Sequence, residues 1–323
     1  MSTGHPENYP GLVIDIGGTH IRLARISAPG AACEQLAVYH CADFPDLESA
    51  IARYLAEQPG PQPRSAAIAT ANPVTGDLVK LTNQDWCFSI AATRERLGLK
   101  RLMVVNDFTG LALALPHLGP GELRQVGGGE PVPGAAKALL GPGTGLGVSG
   151  LVPTPDGHWA PLAGEGGHVS FAPADARELE ILRLLWRQHP HVSAERLISG
   201  GMGLQNLYAT LAELNGVAAE PLDPVSIVAR GVDGSDALCG EVLDTLCAML
   251  GSVAGDLALT LGARGGVYIG GGIVPRLGAR FDRSAFRTRF EAKGRFRDYL
   301  ATIPCYVITA ATPTLLGVAD LLE

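Results

Sequence analysis

The chain has 323 residues, of which 46% are hydrophobic and 18% charged, so it can bury a sizeable core and is not intrinsically disordered. Its net charge of −7 and the lack of a strong basic block argue against a nucleic-acid-binding surface. Six scattered cysteines without a CxxC pair, and no signal peptide, predict reduced thiols in a cytoplasmic protein. No apolar run reaches the length needed to span a bilayer, so we expect no membrane segment.

The first motif along the chain is a glycine turn between two β-type runs in residues 11–26, which predicts a hairpin. Gly17 and Gly18 would let the backbone approach an anion closely, and Thr19 offers a hydroxyl group. Asp15 is a candidate carboxylate for a hydrated Mg²⁺ ion. A glycine hairpin can equally be a simple turn, so the motif alone leaves both interpretations open.

A helix is predicted at residues 46–57 and a small apolar strand at 66–71. The next strand, Leu102–Val105, ends at Asn106 and Asp107 and is followed by an apolar helical run. In an open α/β sheet, ligands bind at the carboxyl ends of strands, where a carboxylate can accept a proton from a hydroxyl group. The alternative is that either side chain simply caps the following helix.

Residues 117–136 are rich in Gly, Pro and Glu without clear periodicity, so we expect a domain boundary near the start of this stretch. A second glycine hairpin follows in residues 138–152, with Gly143, Thr144 and Gly145 at its turn. Its layout of apolar strand, Gly–Thr turn and apolar strand repeats the first hairpin. The repeat suggests two similar domains that face each other across a nucleotide.

Glu165 and His168 lie in a glycine-rich segment, which points to binding rather than packing. His168 could act as a metal ligand, a proton acceptor or a hydroxyl-binding group, but no second His or Cys lies at metal-ligand spacing. Ser193 is predicted to cap a further helix, in which Glu195 either compensates the helix dipole or binds a ligand.

A long apolar stripe in residues 241–261 predicts a core helix, preceded by an amphipathic helix at 178–188. Gly270, Gly271 and Gly272 follow a short strand at the start of a helix, where a flat ligand such as adenosine can approach closely. The basic residues between 283 and 297 are predicted to lie on one helix, where they form a solvated face or, as the alternative, contact phosphates. A last strand at 306–309 and a helix at 314–322 end the prediction.

Six ordered motifs resemble those of the bacterial glucokinase family of ATP-dependent sugar kinases, within the actin/hexokinase-like superfamily. The resemblance runs from Leu12 to about Gly317. The motifs are Ile14-Asp-Ile-Gly-Gly-Thr19, Asn106-Asp-Phe-Thr109, Gly141-Pro-Gly-Thr-Gly-Leu-Gly147, Gly164-Glu-Gly-Gly-His-Val169, Ser193-Ala-Glu-Arg196 and Gly270-Gly-Gly-Ile-Val-Pro275.

The resemblance implies an α/β, two-lobed actin-like (ribonuclease H-like) ATPase fold with a cleft between the lobes. Residues 1–117 with 309–323 would form a small α/β domain, and residues 118–308 a large one. The implied reaction is phosphorylation of D-glucose at the 6-hydroxyl by Mg·ATP, which gives glucose 6-phosphate and ADP at the entry to glycolysis. A homodimer is also implied, with no nucleic-acid or membrane partner.

The resemblance also implies roles for individual residues. Asp107 would be the general base and, with Asn106, Glu165, His168 and Glu195, would bind sugar hydroxyls. The residues implied to bind ATP are Ile14, Asp15, Ile16, Gly17, Gly18, Thr19, Gly143, Thr144, Gly145, Gly270, Gly271 and Gly272. Asp15 would hold Mg²⁺ through water.

The sequence departs from related families in two ways. It lacks the cysteine cluster with which the ROK sugar kinases bind zinc, so we expect no zinc. The segment Ser199–Gly–Gly–Met–Gly203 differs from the form expected after Glu195, which bears on sugar preference. A kinase for another hexose or amino sugar, or a non-catalytic sugar sensor of the same fold, is the alternative function.

Overall fold

The computed structural model describes residues 6–81 and 85–322. The chain divides into two compact units, which are described separately. Unit 1 comprises the described residues up to Gly119 and from Ala310 onward, and unit 2 runs from Pro120 to Thr309. The sequence also predicts a polar loop at residues 82–86 that ends in Trp86 and borders either a ligand cleft or the core. Residues 82–84 lie outside the described residues, and Trp86 is buried in unit 1.

Unit 1 is built on a five-stranded sheet. The sheet strands are β1 (Gly11–Ile16), β2 (His20–Ile26), β3 (Glu34–His40), β4 (Ser65–Thr70) and β7 (Arg101–Asn106), and β5 (Leu78–Lys80) pairs with β6 (Cys87–Ser89). The strand order in the sheet is β3-β2-β1-β4-β7; β1, β4 and β7 are parallel, whereas β1, β2 and β3 form an antiparallel meander. The helices are α1 (Leu47–Glu57), α2 (Ile90–Arg96), α3 (Asp107–Ala114) and α12 (Pro313–Ala319).

Both faces of this sheet are covered by apolar side chains, because successive strand residues point to opposite sides. Ile14 and Ile68 face a cluster that includes Tyr54 of α1. Val13 faces the other cluster, which includes Leu315 of α12. The predicted hairpin, the first helix and the buried strands of this half are therefore confirmed, and α1 begins where Asp46 caps it as an acceptor for the Ser49 N–H.

Unit 2 is built on a six-stranded sheet with the order β11-β10-β9-β12-β13-β8. Its strands are β8 (Leu123–Val126), β9 (Lys137–Pro142), β10 (Leu146–Pro153), β11 (Trp159–Pro161), β12 (Val267–Ile269) and β13 (Cys305–Ile308). Its helices are α4 (Ala176–Trp186), α5 (Met202–Asn215), α6 (Pro224–Asp233), α7 (Ala237–Leu261), α8 (Val274–Leu277), α9 (Ala279–Arg283), α10 (Phe286–Glu291) and α11 (Arg297–Ala301).

Helix α7 corrects the expectation that no apolar segment has the length of a membrane span. Its 25 residues pass the test of length and composition for such a span. In the structure, however, α7 packs in the core of unit 2, with Leu243, Leu246 and Leu250 fully buried. The leucine stripe that predicted a core helix is therefore confirmed.

The basic stretch near residues 283–297 is not the single solvated helix that the sequence predicts. It is divided among α9, α10 and α11, because the backbone is extended at Ser284, with a ψ of 174°, and Gly294 has a positive φ of 56°. Two of its arginines are also largely buried: the side chains of Arg287 and Arg289 are only 14% and 17% exposed. The prediction of a solvated helix did not include the bonds that Arg287 and Arg289 make to other residues of unit 2.

Candidate active site

In unit 1, the turn between β1 and β2 presents Gly18 and Thr19 to solvent. The turn is fixed on both sides, since Gly17 N–H donates to the carbonyl oxygen of His20 over 2.9 Å and Cys41 N–H donates to that of Thr19 over 2.9 Å. Such a rigid, exposed glycine turn can approach an anion without rearranging. Ile14 and Ile16 lie within β1 and are buried, so they support the turn from the core.

Asp15 lies near the end of β1 and pairs across the hairpin with Arg22. The Arg22 guanidinium lies 3.1 Å from Oδ2 of Asp15. Burial raises the pKa of Asp15, and the charge and hydrogen bond of Arg22 oppose that rise. Arg22 was not predicted from the sequence, although its position symmetric to Asp15 about the turn could have indicated it.

Asn106 and Asp107 lie where β7 passes into α3. The Asn106 side chain caps α3, since Oδ1 accepts a hydrogen bond from the Phe108 N–H over 2.9 Å, and Oδ1 of Asp107 accepts from the same N–H over 2.9 Å. The capping alternative is thus confirmed for Asn106, and it does not exclude binding by the remaining polar atoms. The strand register aligns Ile16, Thr70 and Asn106 at one edge of the sheet.

The Asp107 carboxyl has the electrostatic environment of a proton acceptor that works near neutral pH. Burial raises the pKa of Asp107 to about 6, the charge of Asp15 adds to the rise, and the bond from Phe108 opposes it. The influence of Asp15 shows that the two carboxylates interact within unit 1. A carboxylate whose pKa lies near the working pH combines a large deprotonated fraction with useful basicity.

In unit 2, the second glycine turn joins β9 to β10, as the sequence predicts. The backbone N–H of Gly143 donates to the carbonyl oxygen of Gly145 over 2.8 Å, which closes the turn. Strand β12 lies beside β9 in parallel, and Gly270 N–H donates to the carbonyl oxygen of Leu140 over 2.9 Å. The glycines after β12 therefore lie next to the glycine turn.

This approach of two backbones requires glycine at position 141. A Cβ at Gly141 would lie 2.4 Å from the carbonyl carbon of Gly270. Gly271 has a φ of 79°, and a Cβ there would lie 2.4 Å from the carbonyl oxygen of Pro142. A Cβ at Gly272 would meet no described atom within 4 Å, so this glycine borders open space.

Replacing Gly141 by alanine is therefore expected to lower the free energy of unfolding by about 1–3 kcal/mol, because the added methyl group overlaps backbone that cannot move freely. The control is Gly143→Ala, whose Cβ would meet no described atom within 4 Å. Urea unfolding of both variants measures the difference. Equal stabilities would contradict the assignment of Gly141 to a close backbone contact.

Glu195 and His168 are brought together in unit 2. His168 Nε2 lies 3.9 Å from Oε2 of Glu195, and the two chain segments are joined by an antiparallel bridge between Ser170 and Ser193. Both residues border a cavity of about 240 Å³. Glu165 precedes the short turn that carries His168, and its carbonyl oxygen accepts from the His168 N–H over 3.0 Å. No bond joins the Glu165 carboxylate to either side chain in the described part of the chain.

The prediction of a helix after Ser193 is wrong. Residues Ala194–Arg196 form only a short 3₁₀ turn, and Ser193 makes no side-chain cap. Glu195 does not compensate a helix dipole either, because its Oε2 accepts a hydrogen bond from the Leu146 N–H over 3.1 Å. This long-range bond has no sequence signal, since the two residues are 49 positions apart.

Among residues 6–81 and 85–322, no group of three or more His, Cys, Asp or Glu side chains could hold a metal ion by itself. The six cysteines, all of which are described, form no disulfide bond with one another. Unit 1 thus presents two carboxylates, an amide and a glycine turn, and unit 2 presents two carboxylates, a histidine and a second glycine turn. Each set has groups that suit the hydroxyls of a polyhydroxylated ligand and the phosphates of a nucleotide.

Comparisons with known proteins agree along nearly the whole chain. The family profile named Glucokinase matches residues 12–323. A glucokinase of Chromobacterium violaceum is 56% identical over 319 residues, which cover 99% of this chain and 91% of that protein. A glucokinase of Aromatoleum aromaticum is 54% identical over 324 residues, which cover 100% of this chain and 97% of that protein.

The fold agrees as well. The crystal structure of a glucokinase from an Antarctic psychrotroph matches with a TM-score of 0.88 and 37% identity, and covers 97% of this chain and 98% of its own. The mixed α/β architecture is therefore that of the two-domain, actin-like sugar kinases. With the family profile and both relatives in agreement, the chain belongs to the glucokinase family, the enzymes that phosphorylate glucose at the expense of ATP.

Proposed function

We propose that Asp107 is the general base that accepts the proton of the glucose 6-hydroxyl while that oxygen attacks the terminal phosphorus of ATP. The products are glucose 6-phosphate and ADP. The observation that carries this assignment is the Asp107 carboxyl at the carboxyl end of β7, with its pKa raised to about 6. Because the base takes the hydroxyl proton while the new P–O bond forms and the P–O bond to ADP breaks, the attacking oxygen does not accumulate positive charge.

We assign the binding of sugar hydroxyls to five residues. They are Asn106, Asp107, Glu165, His168 and Glu195. Charged and amide groups at such positions would be left unpaired by an analogue that lacks a hydroxyl, so they favour the complete hexose. The contact between Glu195 and His168 in unit 2 supports this role, since both side chains face the same cavity.

We assign the binding of ATP to the two glycine turns, residues 14–19 and 143–145, with residues 270–272 beside the adenosine. Backbone N–H groups and the Thr19 and Thr144 hydroxyls stabilise the charge of the transferred phosphoryl group. Asp15 fits a water-mediated Mg²⁺ contact, since Mg²⁺ takes one or two carboxylates with phosphate oxygens and keeps several waters. The ion supplies neutralisation of phosphate charge, and Arg22 keeps the Asp15 carboxylate oriented.

We further propose that the enzyme works in the cytoplasm as a homodimer, with residues 1–117 and 309–323 as its small domain and 118–308 as its large domain. Six cysteines that form no disulfide bond with one another are consistent with a reducing compartment. Size-exclusion chromatography with light scattering measures the assembly.

The direct test of function is ADP release from Mg·ATP with glucose, mannose, fructose, N-acetylglucosamine or no sugar. A strong rate that requires glucose is the expected result. ADP release with another sugar alone would make this chain a kinase for that sugar. Tight glucose binding by folded protein without ADP release would identify a sensor.

The pH dependence of kcat/KM for glucose follows from the Asp107 pKa of about 6. The base works only when deprotonated, so the rate is expected to rise with pH through about 6 and to fall tenfold per unit well below that value. A rate measured from pH 4.5 to 8 at saturating Mg·ATP tests this. A profile that stays flat down to pH 4.5 would exclude Asp107 as the titrating base.

A further inference from the structure

The turn between β9 and β10 is held from both sides by the segment that carries Glu195. We call residues 143–146 the phosphate turn. At its end, the Leu146 N–H donates to Oε2 of Glu195 over 3.1 Å. At its start, the carbonyl oxygen of Gly143 accepts from the Gly200 N–H over 2.7 Å. The phosphate turn is therefore tied at two points to the chain that contributes a candidate sugar-binding residue.

The packing at both points depends on glycine. A Cβ at Gly145 would lie only 2.6 Å from Oε2 of Glu195, so the carboxylate rests directly on the phosphate turn. A Cβ at Gly200 would lie 2.8 Å from the carbonyl oxygen of Gly143, and one at Gly201 would lie 2.9 Å from that of Thr144. At Gly200 and Gly201 the backbones of the two segments therefore approach closely, so the phosphate turn packs directly against the segment that carries Glu195.

Glu195 and its neighbour His168 differ in their relation to the phosphate turn. The Glu195 side chain is 17% exposed, whereas that of His168 is 60% exposed. His168 reaches the same carboxylate oxygen at 3.9 Å but makes no bond to the phosphate turn among the described residues. The two side chains therefore provide a matched pair: both border the same cavity of about 240 Å³, and among the described residues Glu195 alone of the two is bonded to the phosphate turn.

We propose that Glu195 is a positioning residue for ATP as well as a sugar-binding residue, an inference that rests on the proposed glucose kinase function. Oε2 of Glu195 holds the phosphate turn by accepting the hydrogen bond from the Leu146 N–H, and Oε1 accepts a hydrogen bond from a sugar hydroxyl. A hydrogen bond to an ionised acceptor is stronger than one between neutral groups. A turn that is held before the nucleotide arrives loses less freedom on binding, which increases affinity.

The test measures binding of Mg·AMPPNP, an ATP analogue that cannot transfer its phosphoryl group, by calorimetry in the absence of glucose. Glu195→Gln removes the charge but keeps an oxygen that can accept from Leu146, whereas Glu195→Ala removes both. We expect the alanine variant to bind Mg·AMPPNP about tenfold more weakly than the glutamine variant, the effect of losing one such hydrogen bond. His168→Gln is the control and is expected to bind it like the wild type.

Glucose affinity is measured in parallel, and all three variants are expected to bind glucose more weakly. Equal Mg·AMPPNP affinities of Glu195→Gln and Glu195→Ala would overturn the positioning role, while glucose-dependent ADP release by the wild type would still support the proposed function. Gly145→Ala provides an independent variant that keeps the carboxylate but displaces it. We expect it to raise the KM for glucose by about threefold, the effect of weakening one hydrogen bond, and an unchanged KM would also contradict the contact.

Discussion

Replacing Asp107 by asparagine is expected to lower kcat for glucose phosphorylation by roughly 10²–10⁴-fold, the contribution typical of a general base. Asparagine keeps the shape of the side chain and the oxygen that accepts from the Phe108 N–H, but it cannot take a proton at neutral pH. Glucose affinity should change less than kcat, because the amide can still bind a hydroxyl group. Steady-state kinetics with a coupled ADP assay separate the two parameters.

The same substitution is expected to stabilise the fold. The raised pKa of Asp107 means that the folded state disfavours the ionised carboxylate. The Asp107 carboxyl therefore makes its full contribution to stability below its pKa in the unfolded state, near 3.8. That contribution is lost as the pH rises through its pKa in the folded state, about 6. Removing the ionisable group should raise the free energy of unfolding at pH 7.5 by up to about 3 kcal/mol.

Asp223→Asn is the matched control for Asp107→Asn. Asp223 caps α6 through the Ser226 N–H, and asparagine caps a helix about as well as aspartate. We expect this variant to keep the kinetics and the stability of the wild type. Near-full activity of Asp107→Asn would exclude the general-base assignment, and a stability loss together with inactivity would indicate structural damage instead.

The sequence predicted the features that depend on local pattern. The two glycine hairpins follow from apolar strands around a Gly–Thr turn, and the position of Asn106 and Asp107 follows from where the apolar run of β7 stops. Strand periodicity and turn chemistry act over a few residues, so they can be recognised in one sequence. The order of the six motifs then supported the family resemblance, and the resemblance implied the fold class.

The features that the sequence did not predict depend on contacts between distant segments. The bond between Glu195 and the Leu146 N–H joins residues 49 positions apart. The short turn at Ala194–Arg196 replaces a longer helix because segment 194–200 makes backbone bonds to neighbouring loops, including Ala194 to Val169 and Gly200 to Gly143. Backbone hydrogen bonds between distant segments cannot be recognised from the pattern of side chains in the sequence.

The ion pairs of Arg289 are a second feature that the sequence pattern did not predict. Replacing Arg289 is expected to lower the free energy of unfolding more than the other substitutions proposed above. Its guanidinium joins α10 to α4, with Nη2 2.5 Å from Oε1 of Glu178 and Nη1 3.0 Å from Oδ2 of Asp175, and its Nε donates to Ser252 of α7 over 3.1 Å. The Glu178 side chain is only 4% exposed. Without Arg289, a buried carboxylate would lose its counterion and keep, among the described residues, only the bond from the Ala174 N–H.

Arg289→Met is therefore expected to lower the free energy of unfolding by about 3–5 kcal/mol, the range for breaking a buried ion pair on one side. Urea unfolding followed by tryptophan fluorescence measures this. Arg183→Met is the control on α4, because that side chain is 62% exposed and pairs with Glu180 at the surface, where a single ion pair contributes about 0–1 kcal/mol.

The double variant Glu178→Gln, Arg289→Met separates the lost attraction from the unpaired charge. Glutamine keeps an oxygen for the Ala174 N–H but carries no charge, so the double variant should regain part of the stability that Arg289→Met loses. If it is no more stable than Arg289→Met, the loss comes from packing of the arginine and not from the buried carboxylate. A loss no larger than that of Arg183→Met would show that this charge network contributes as little as a surface pair.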